Sequence, residues 1–196
     1  MSTFILDLLA AFFGIVSVVF AVRNSALNYY FGLLSIVLYI LLLYRAGIYG
    51  DILLNLFYAV FSIYGLWNWS RKNQHQRFVV QISSLSVIQW RISGIAFLFT
   101  WGCLYFFLLY FTDSEIIFWD SLTTALGFIG MYWMSLRKKE YWLFFIIANA
   151  VSCILYLYRN LPFSACQFVI LNILAVQGYR RWSALLKVTT SKEKII

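Results

Sequence analysis

The side chains in this sequence that could recognise a ligand are amides, hydroxyls and aromatics set at helical intervals inside apolar runs. Asn55, Tyr58, Ser62 and Trp69 follow at spacings of three, four and seven, which puts them on one helix face. Asn149, Ser152 and Tyr156 do the same, and Ser35 and Tyr39 stand one turn apart. Gln167, Asn172 and Gln177 share one run but no narrow stripe, and a further run carries Thr123 and Thr124. Amides would orient a ligand, and aromatic faces would stack on it or attract a cation. The implied ligand is flat, neutral or cationic, and rich in hydrogen-bonding groups. The competing reading is that the same groups hydrogen-bond between packed helices.

Catalytic chemistry is sparse. The sole histidine, His75, falls in a basic loop, and neither HExxH nor GxxxxGKT occurs. Cys103, Cys153 and Cys166 stand singly in apolar runs and read as packing residues rather than as a redox pair or metal site. No catalytic residue, metal or cofactor is expected. Asp7 and Asp120 are the acids within apolar runs, both near a run's start. An acid there either complements the helix dipole or couples an ion. An uncoupled carrier therefore fits better than a pump. A membrane-embedded enzyme would need a nucleophile with its base, or a metal cluster. A seven-helix receptor would need an output domain, which the short gaps leave no room for.

The elements that position these residues follow from composition. The chain is 63% hydrophobic and 11% charged, against roughly 25% charged in a soluble domain. A spanning helix needs roughly 20 apolar residues. Seven runs qualify: 4–22, 26–44, 51–69, 92–111, 116–134, 141–158 and 163–180. They are too long and too continuously apolar for the strands of a barrel. The opening MSTFILDLLAAFF has no Lys or Arg before its apolar run, so it reads as a retained helix.

Placing the N-terminus on one side leaves only Arg45 and Arg159 there. The other side holds Arg23, Arg71, Lys72, Arg77, Arg91, Arg137, Lys138, Lys139, Arg180, Arg181, Lys187, Lys192 and Lys194. By the positive-inside rule the N-terminus is outside and the C-terminus cytoplasmic. The net charge of +8 is thus a topology signal, and nucleic acid is not an expected partner. Trp67, Trp69, Trp142 and Trp182 fall near the cytoplasmic boundary, where an aromatic belt is expected.

A shift of 113 residues lays Asp7 on Asp120, Gly14 on Gly127, Gly65 on Gly178 and Trp69 on Trp182. The expected organisation is one transmembrane domain, 4–182. It comprises a first repeat at 4–69, a linking helix at 92–111 and a second repeat at 116–182, with a cytoplasmic tail at 183–196. A single linking helix after three spans gives both triplets the same orientation. Transporters use this 3+1+3 parallel layout with a site at the repeat interface.

The pieces NYYFGL (28–33), YGLWNW (64–69), FWDS (118–121), EYW (140–142) and the Gly178–Trp182 end occur in order. Together they make residues 4–182 resemble the PnuC family of bacterial vitamin transporters, best known for nicotinamide riboside. The resemblance implies an all-α membrane protein with a SWEET-like 3+1+3 fold in the plasma (inner) membrane. It implies facilitated diffusion by alternating access, a homotrimer in the lipid bilayer, and trapping of the substrate by a cytosolic kinase. By position matching it adds Trp142 to Asn55, Asn149, Gln167, Asn172 and Gln177 as lining residues. Nicotinamide riboside carriers of the family tend to have Asn at position 35, Gln at 55 and Asn at 62, where this chain has Ser35, Asn55 and Ser62. Thiamine or riboflavin is therefore the alternative substrate.

Overall fold

The computed structural model describes residues 3–46, 49–72, 79–112, 116–158 and 162–193. His75, Arg77, Arg159 and Lys194 lie outside the described residues. Among the described residues seven helices follow in order: α1 (Thr3–Val22), α2 (Leu27–Ala46), α3 (Tyr49–Ser70), α4 (Val87–Phe111), α5 (Ile117–Ser135), α6 (Tyr141–Tyr158) and α7 (Pro162–Glu193). By length and apolarity, α1, α2, α3, α4 and α6 each qualify to cross a membrane. Of the other two, α5 carries Asp120 and two threonines, and α7 carries amides and a charged end. Large apolar side chains such as Phe99 (73% exposed) and Tyr110 (74% exposed) cover the outer surface. In water that surface would be unstable; in lipid it is the expected one.

Two boundaries differ from expectation. α4 starts at Val87, not residue 92, because Ser86 caps it: Ser86 Oγ accepts from Gln89 N–H and Gln89 Oε1 accepts from Ser86 N–H. The S-x-x-Q spacing is a sequence-level helix start. α7 runs on past the expected end of its apolar run at 180, to Glu193. The stretch SALLKV holds good helix formers with no Gly or Pro to stop it.

The 113-residue shift recurs in the contacts, and the fold is a 3+1+3 arrangement. Within each triplet, consecutive helices pack (α1 on α2 on α3; α5 on α6 on α7). Between triplets, α1 meets α7 and α3 meets α5, which are equivalent pairs under the shift. Trp69 Nε1 donates to Met134 O at 3.1 Å, and Trp182 Nε1 donates to Ala21 O at 3.1 Å. Trp182 is the shifted partner of Trp69 and Met134 that of Ala21, so each repeat caps the other in the same way.

The turns match as well. Asn24 (φ 55°) and Arg137 (φ 52°) are equivalent and both left-handed. Asn24 N–H donates to Ala21 O as Arg137 N–H donates to Met134 O, each at 2.9 Å. Asparagine tolerates this conformation through its short polar side chain; arginine has no such advantage and is held by tertiary contacts. The equivalent glycines admit large rings: a Cβ at Gly65 would strike Tyr29, and one at Gly178 would strike Trp142.

α4 is fastened to α5 at two levels. Trp133 Nε1 donates to Ser93 Oγ at 2.8 Å, and Trp101 Nε1 donates to Ser121 Oγ at 3.1 Å. The segment before α4 is strapped to the α5–α6 turn. There Ser83 N–H donates to Arg137 O, Lys139 N–H to Ser83 O, and Leu85 N–H to Glu140 Oε2.

Candidate functional site: a cavity between the two repeats

Six helices enclose a cavity of about 610 Å³ at the repeat interface, and α4 contributes nothing to its lining. The volume is that of a small-molecule site. At the cation-rich end its floor is aromatic. Tyr29, Tyr141 and Trp142 line it and are each at least 98% buried, with Trp69 and Trp182 packed behind them. These rings also belong to the protein's main buried cluster, with Trp69, Trp133 and Trp182.

Arg137 closes the floor from beneath. Its guanidinium lies 4.5 Å from the centre of the Trp69 ring and donates to Val80 O and Trp69 O. Burial lowers its pKa to about 10, with the nearby Tyr29 acting in the opposite direction. It is therefore still charged at neutral pH. The opposite end of the cavity is edged by Asp7, Ser164, Tyr156, and Tyr39 approaching Gln167.

Eight of the ten residues expected from the sequence line this cavity. From the first repeat come Ser35, Tyr39, Asn55, Tyr58 and Ser62. From the second come Trp142, Asn149 and Gln167. Asn172 and Gln177 do not line it. The cavity face of α7 runs Ser164, Phe168, Leu171 and Ala175, and residues 172 and 177 fall off that stripe at about 100° per residue; Gln177 is exposed. Ser152, expected beside Asn149 and Tyr156, is also absent from the lining.

The aromatic-belt reading is corrected for three tryptophans. Trp69, Trp142 and Trp182 are 0–2% exposed, because Trp69 and Trp182 pack on each other across the repeat interface and Trp142 packs on Trp182. Trp67 alone of the four faces outward, at 55% exposure, with Arg71 over its ring at 4.6 Å. The two equivalent acids also part ways: Asp7 lines the cavity, whereas Asp120 lies in the first turn of α5 outside it.

Interhelical and local bonding accounts for part of the polar lining. Ser35 Oγ donates to Ala10 O at 2.7 Å, Ser17 Oγ to Asn28 O at 2.7 Å, and Asn55 Nδ2 to Asp51 O at 2.9 Å. Asn149 is buried, and among the described residues no hydrogen bond ties its side chain.

Sequence reasoning missed Asn28, Tyr29 and Tyr141, and also Gly32 and Phe145. A usable signal existed. Shifting Trp142 back by 113 gives Tyr29, and its neighbours Asn28 and Tyr141 are likewise equivalent. The shift also exposes an asymmetry. Gly32 faces Ser17 in the first repeat, whereas Phe145 faces Gly130 in the second. At this pair of positions the first repeat thus supplies space and a hydroxyl, and the second supplies a ring.

No three His, Cys, Asp or Glu side chains group as metal ligands among the described residues. Among the described residues the lining contains one acid, Asp7, and no Lys or Arg. A multi-pass helical bundle with a polar and aromatic cavity between two like-oriented triplets is the build of a small-solute membrane carrier. A family model described as nicotinamide mononucleotide transporter matches residues 4–184, and the chain belongs to that family.

Two named relatives are nicotinamide riboside transporters PnuC. The one from Escherichia coli (strain K12) is 22% identical, over 86% of this chain and 81% of the relative. The one from Neisseria mucosa is 28% identical, over 91% and 72%. A crystal structure of the vitamin B3 transporter PnuC superposes with a TM-score of 0.75 at 27% identity, over 93% of this chain and 82% of that one.

Proposed function

We propose that this protein imports nicotinamide riboside across the bacterial inner membrane by facilitated diffusion. The observation that carries the reading is the cavity's charge: among the described residues it is lined by one carboxylate, several aromatic faces and no cation. A pyridinium riboside is a flat cation with a hydroxyl-rich sugar. Asp7 attracts the charge, the rings stack on the base or engage it as a cation–π pair, and Asn149 is available to a hydroxyl. The mononucleotide carries a phosphate, which would be desolvated here with no lysine or arginine to pair it. The riboside is therefore the preferred form. A cytosolic kinase that phosphorylates it converts it into a species the cavity rejects, which makes uptake directional without a pump.

The N-terminus faces outside and the C-terminus the cytoplasm, in accord with the thirteen-to-two bias of cations. The aromatic floor is then the cytoplasmic gate, and alternating access requires the two triplets to rock about it. Three copies form a trimer through their lipid-facing surfaces. Thiamine is the second reading, because Ser35 and Ser62 offer no amide and a thiazolium cation meets the same Asp7 and rings.

Uptake into liposomes of radiolabelled nicotinamide riboside, nicotinamide mononucleotide, thiamine and riboflavin tests this. Saturable uptake of the riboside alone is expected. Saturable thiamine uptake without riboside uptake would transfer the function to the second reading, and no uptake of any of the four would refute transport of this class.

A further inference from the structure

The two seams between the triplets, α1 with α7 and α3 with α5, are equivalent under the 113-residue shift. At the cation-rich end they are not fastened alike. One bond is common to both: Trp69 Nε1 on Met134 O joins α3 to α5, and Trp182 Nε1 on Ala21 O joins α7 to α1. The α3–α5 seam has more. Asn68 Nδ2 donates to Ser135 O at 2.9 Å. The Arg137 guanidinium lies over the Trp69 ring and donates to Trp69 O at 3.5 Å. Further along the same two helices, Phe57 stacks on Phe128 with centroids 4.8 Å apart, and Phe61 meets Tyr132 at 6.3 Å.

The equivalent residues do not repeat these contacts. Asn68 corresponds to Arg181, which is exposed, and Arg137 to Asn24, which has no guanidinium to lie on an indole. Among the described residues neither of those side chains bonds across the α1–α7 seam. A brace adds to the difference. Segment 79–86 is tied to the end of α3 by Val79 N–H on Arg71 O. It is also tied to the α5–α6 turn: Arg137 donates to Val80 O, Lys138 Nζ to Ser84 O at 3.2 Å, and Leu85 N–H to the Glu140 carboxylate at 2.9 Å. After Trp182 the chain instead continues as helix to Glu193, and Leu27, the equivalent of Glu140, is 46% exposed.

The two seams therefore part at different cost. Separating α3 from α5 would lift Trp69 off Arg137 and leave a buried guanidinium short of partners, which is strongly unfavourable. Separating α1 from α7 breaks the Trp182 bond and parts Trp182 from Trp69, 5.7 Å away. Ala21 O still accepts from Asn24 N–H. Trp182 keeps Tyr141 and Trp142 of its own triplet, at 5.1 and 6.0 Å.

We propose that the protein opens at its cation-rich end along the α1–α7 seam alone, with the α3–α5 seam, held by Asn68, Arg137 and the brace, as the hinge. The substrate then leaves between α1 and α7. The motion rests on the reading of the protein as an alternating-access carrier, and it selects which of two equivalent seams moves.

The test compares equivalent cysteine pairs in the full-length protein, with Cys103, Cys153 and Cys166 replaced by serine. Arg23→Cys with Ser183→Cys spans the α1–α7 seam, and Leu136→Cys with Ser70→Cys spans the α3–α5 seam. The shift carries one pair onto the other, and none of the four residues lines the cavity. Spin-label distances are read in nanodiscs with and without nicotinamide riboside. The 23/183 pair is expected to show a second, longer distance whose share changes with ligand, and the 70/136 pair a single distance throughout. Closing the 23/183 pair with a short, reducible bis-thiosulfonate linker should cut riboside uptake into liposomes by more than about tenfold, and closing the 70/136 pair should leave it within about twofold. Reduction of the linker should restore uptake. Asn68→Arg with Arg137→Asn gives the hinge the residues of the other seam, and should add a longer distance to the 70/136 pair. Should that exchange fail to fold, the labelled pairs on the native hinge decide alone.

A longer 70/136 distance on the native hinge, fixed distances for both pairs, or uptake that survives the 23/183 linker would each overturn the proposal while leaving riboside transport to its own assay. An unchanged 70/136 distance in a folded exchange variant would overturn it too, since Asn68 and Arg137 would then not hold the hinge. A second distance for 23/183 alone, without uptake of the riboside, would support the hinge and overturn the transport reading.

Discussion

Gly178→Ala is expected to damage the protein through one contact. A Cβ at position 178 would run into the six-membered ring of the Trp142 indole. That ring cannot easily withdraw, because its centre lies 4.4 Å from that of Tyr141 and 6.0 Å from that of Trp182. Forcing a methyl group into a packed contact costs about 1–3 kcal/mol. Replacing a helical glycine by alanine recovers about 1 kcal/mol. The net expectation is a loss of roughly 0–2 kcal/mol, from the difference of those two figures.

Gly102 supplies the control. A Cβ there meets nothing within 4 Å, so Gly102→Ala should gain about 1 kcal/mol. The two variants should then differ by about 1–3 kcal/mol in equilibrium unfolding in mixed micelles. Trp142 also lines the cavity, so Gly178→Ala should weaken riboside binding by about tenfold, the equivalent of about 1.4 kcal/mol, while Gly102→Ala leaves it unchanged. If the two variants unfold and bind alike, the packing account of the equivalent glycines is wrong.

Three further outcomes follow from the same contacts. Trp69→Phe and Trp182→Phe each remove one reciprocal bond. Met134 O and Ala21 O still accept from the backbone N–H of Arg137 and Asn24, so each variant should lose only about 0.5–1.5 kcal/mol, and by equal amounts; denaturant midpoints measure this. Arg137→Lys should destabilise by about 1.5–3 kcal/mol despite keeping the charge, since an ammonium cannot lie flat on Trp69 and reach two carbonyls. Unfolding of Arg137→Lys at the wild-type midpoint would refute that role. Asp7→Asn should weaken binding of the cationic riboside a few-fold, with a shallower salt dependence, whereas Asp120→Asn should not; titration at two ionic strengths separates them.

Much of the fold was legible in one dimension. Apolar runs of membrane length are set by composition, and they located the seven helices. The matched Gly65/Gly178 and Trp69/Trp182 named contacts that the structure then makes in equivalent places, whereas the matched Asp7 and Asp120 part ways. The helix periodicity of Asn55, Tyr58 and Ser62 put the right face of α3 toward the cavity, because on an isolated stripe spacing alone defines a side. On α7 it failed, because Gln167, Asn172 and Gln177 define no stripe and only the neighbouring helices choose which of them faces inward.

The same limit applies to the tryptophans. A tryptophan near a membrane boundary can face lipid headgroups or a partner helix, and sequence distance from the boundary is the same for both. Trp67 and Trp69 are two residues apart and end on opposite sides of that choice, because α3 turns by about 200° between them. Asn28, Tyr29 and Tyr141 lie at helix starts, where they read as ordinary turn neighbours. They become a cluster only when the two triplets are brought face to face. The sequence by itself thus determined the spans, the charge asymmetry and the repeat, which depend on composition and local spacing. Tertiary structure alone decided which polar and aromatic side chains face the cavity, because that depends on how the two triplets pack against each other.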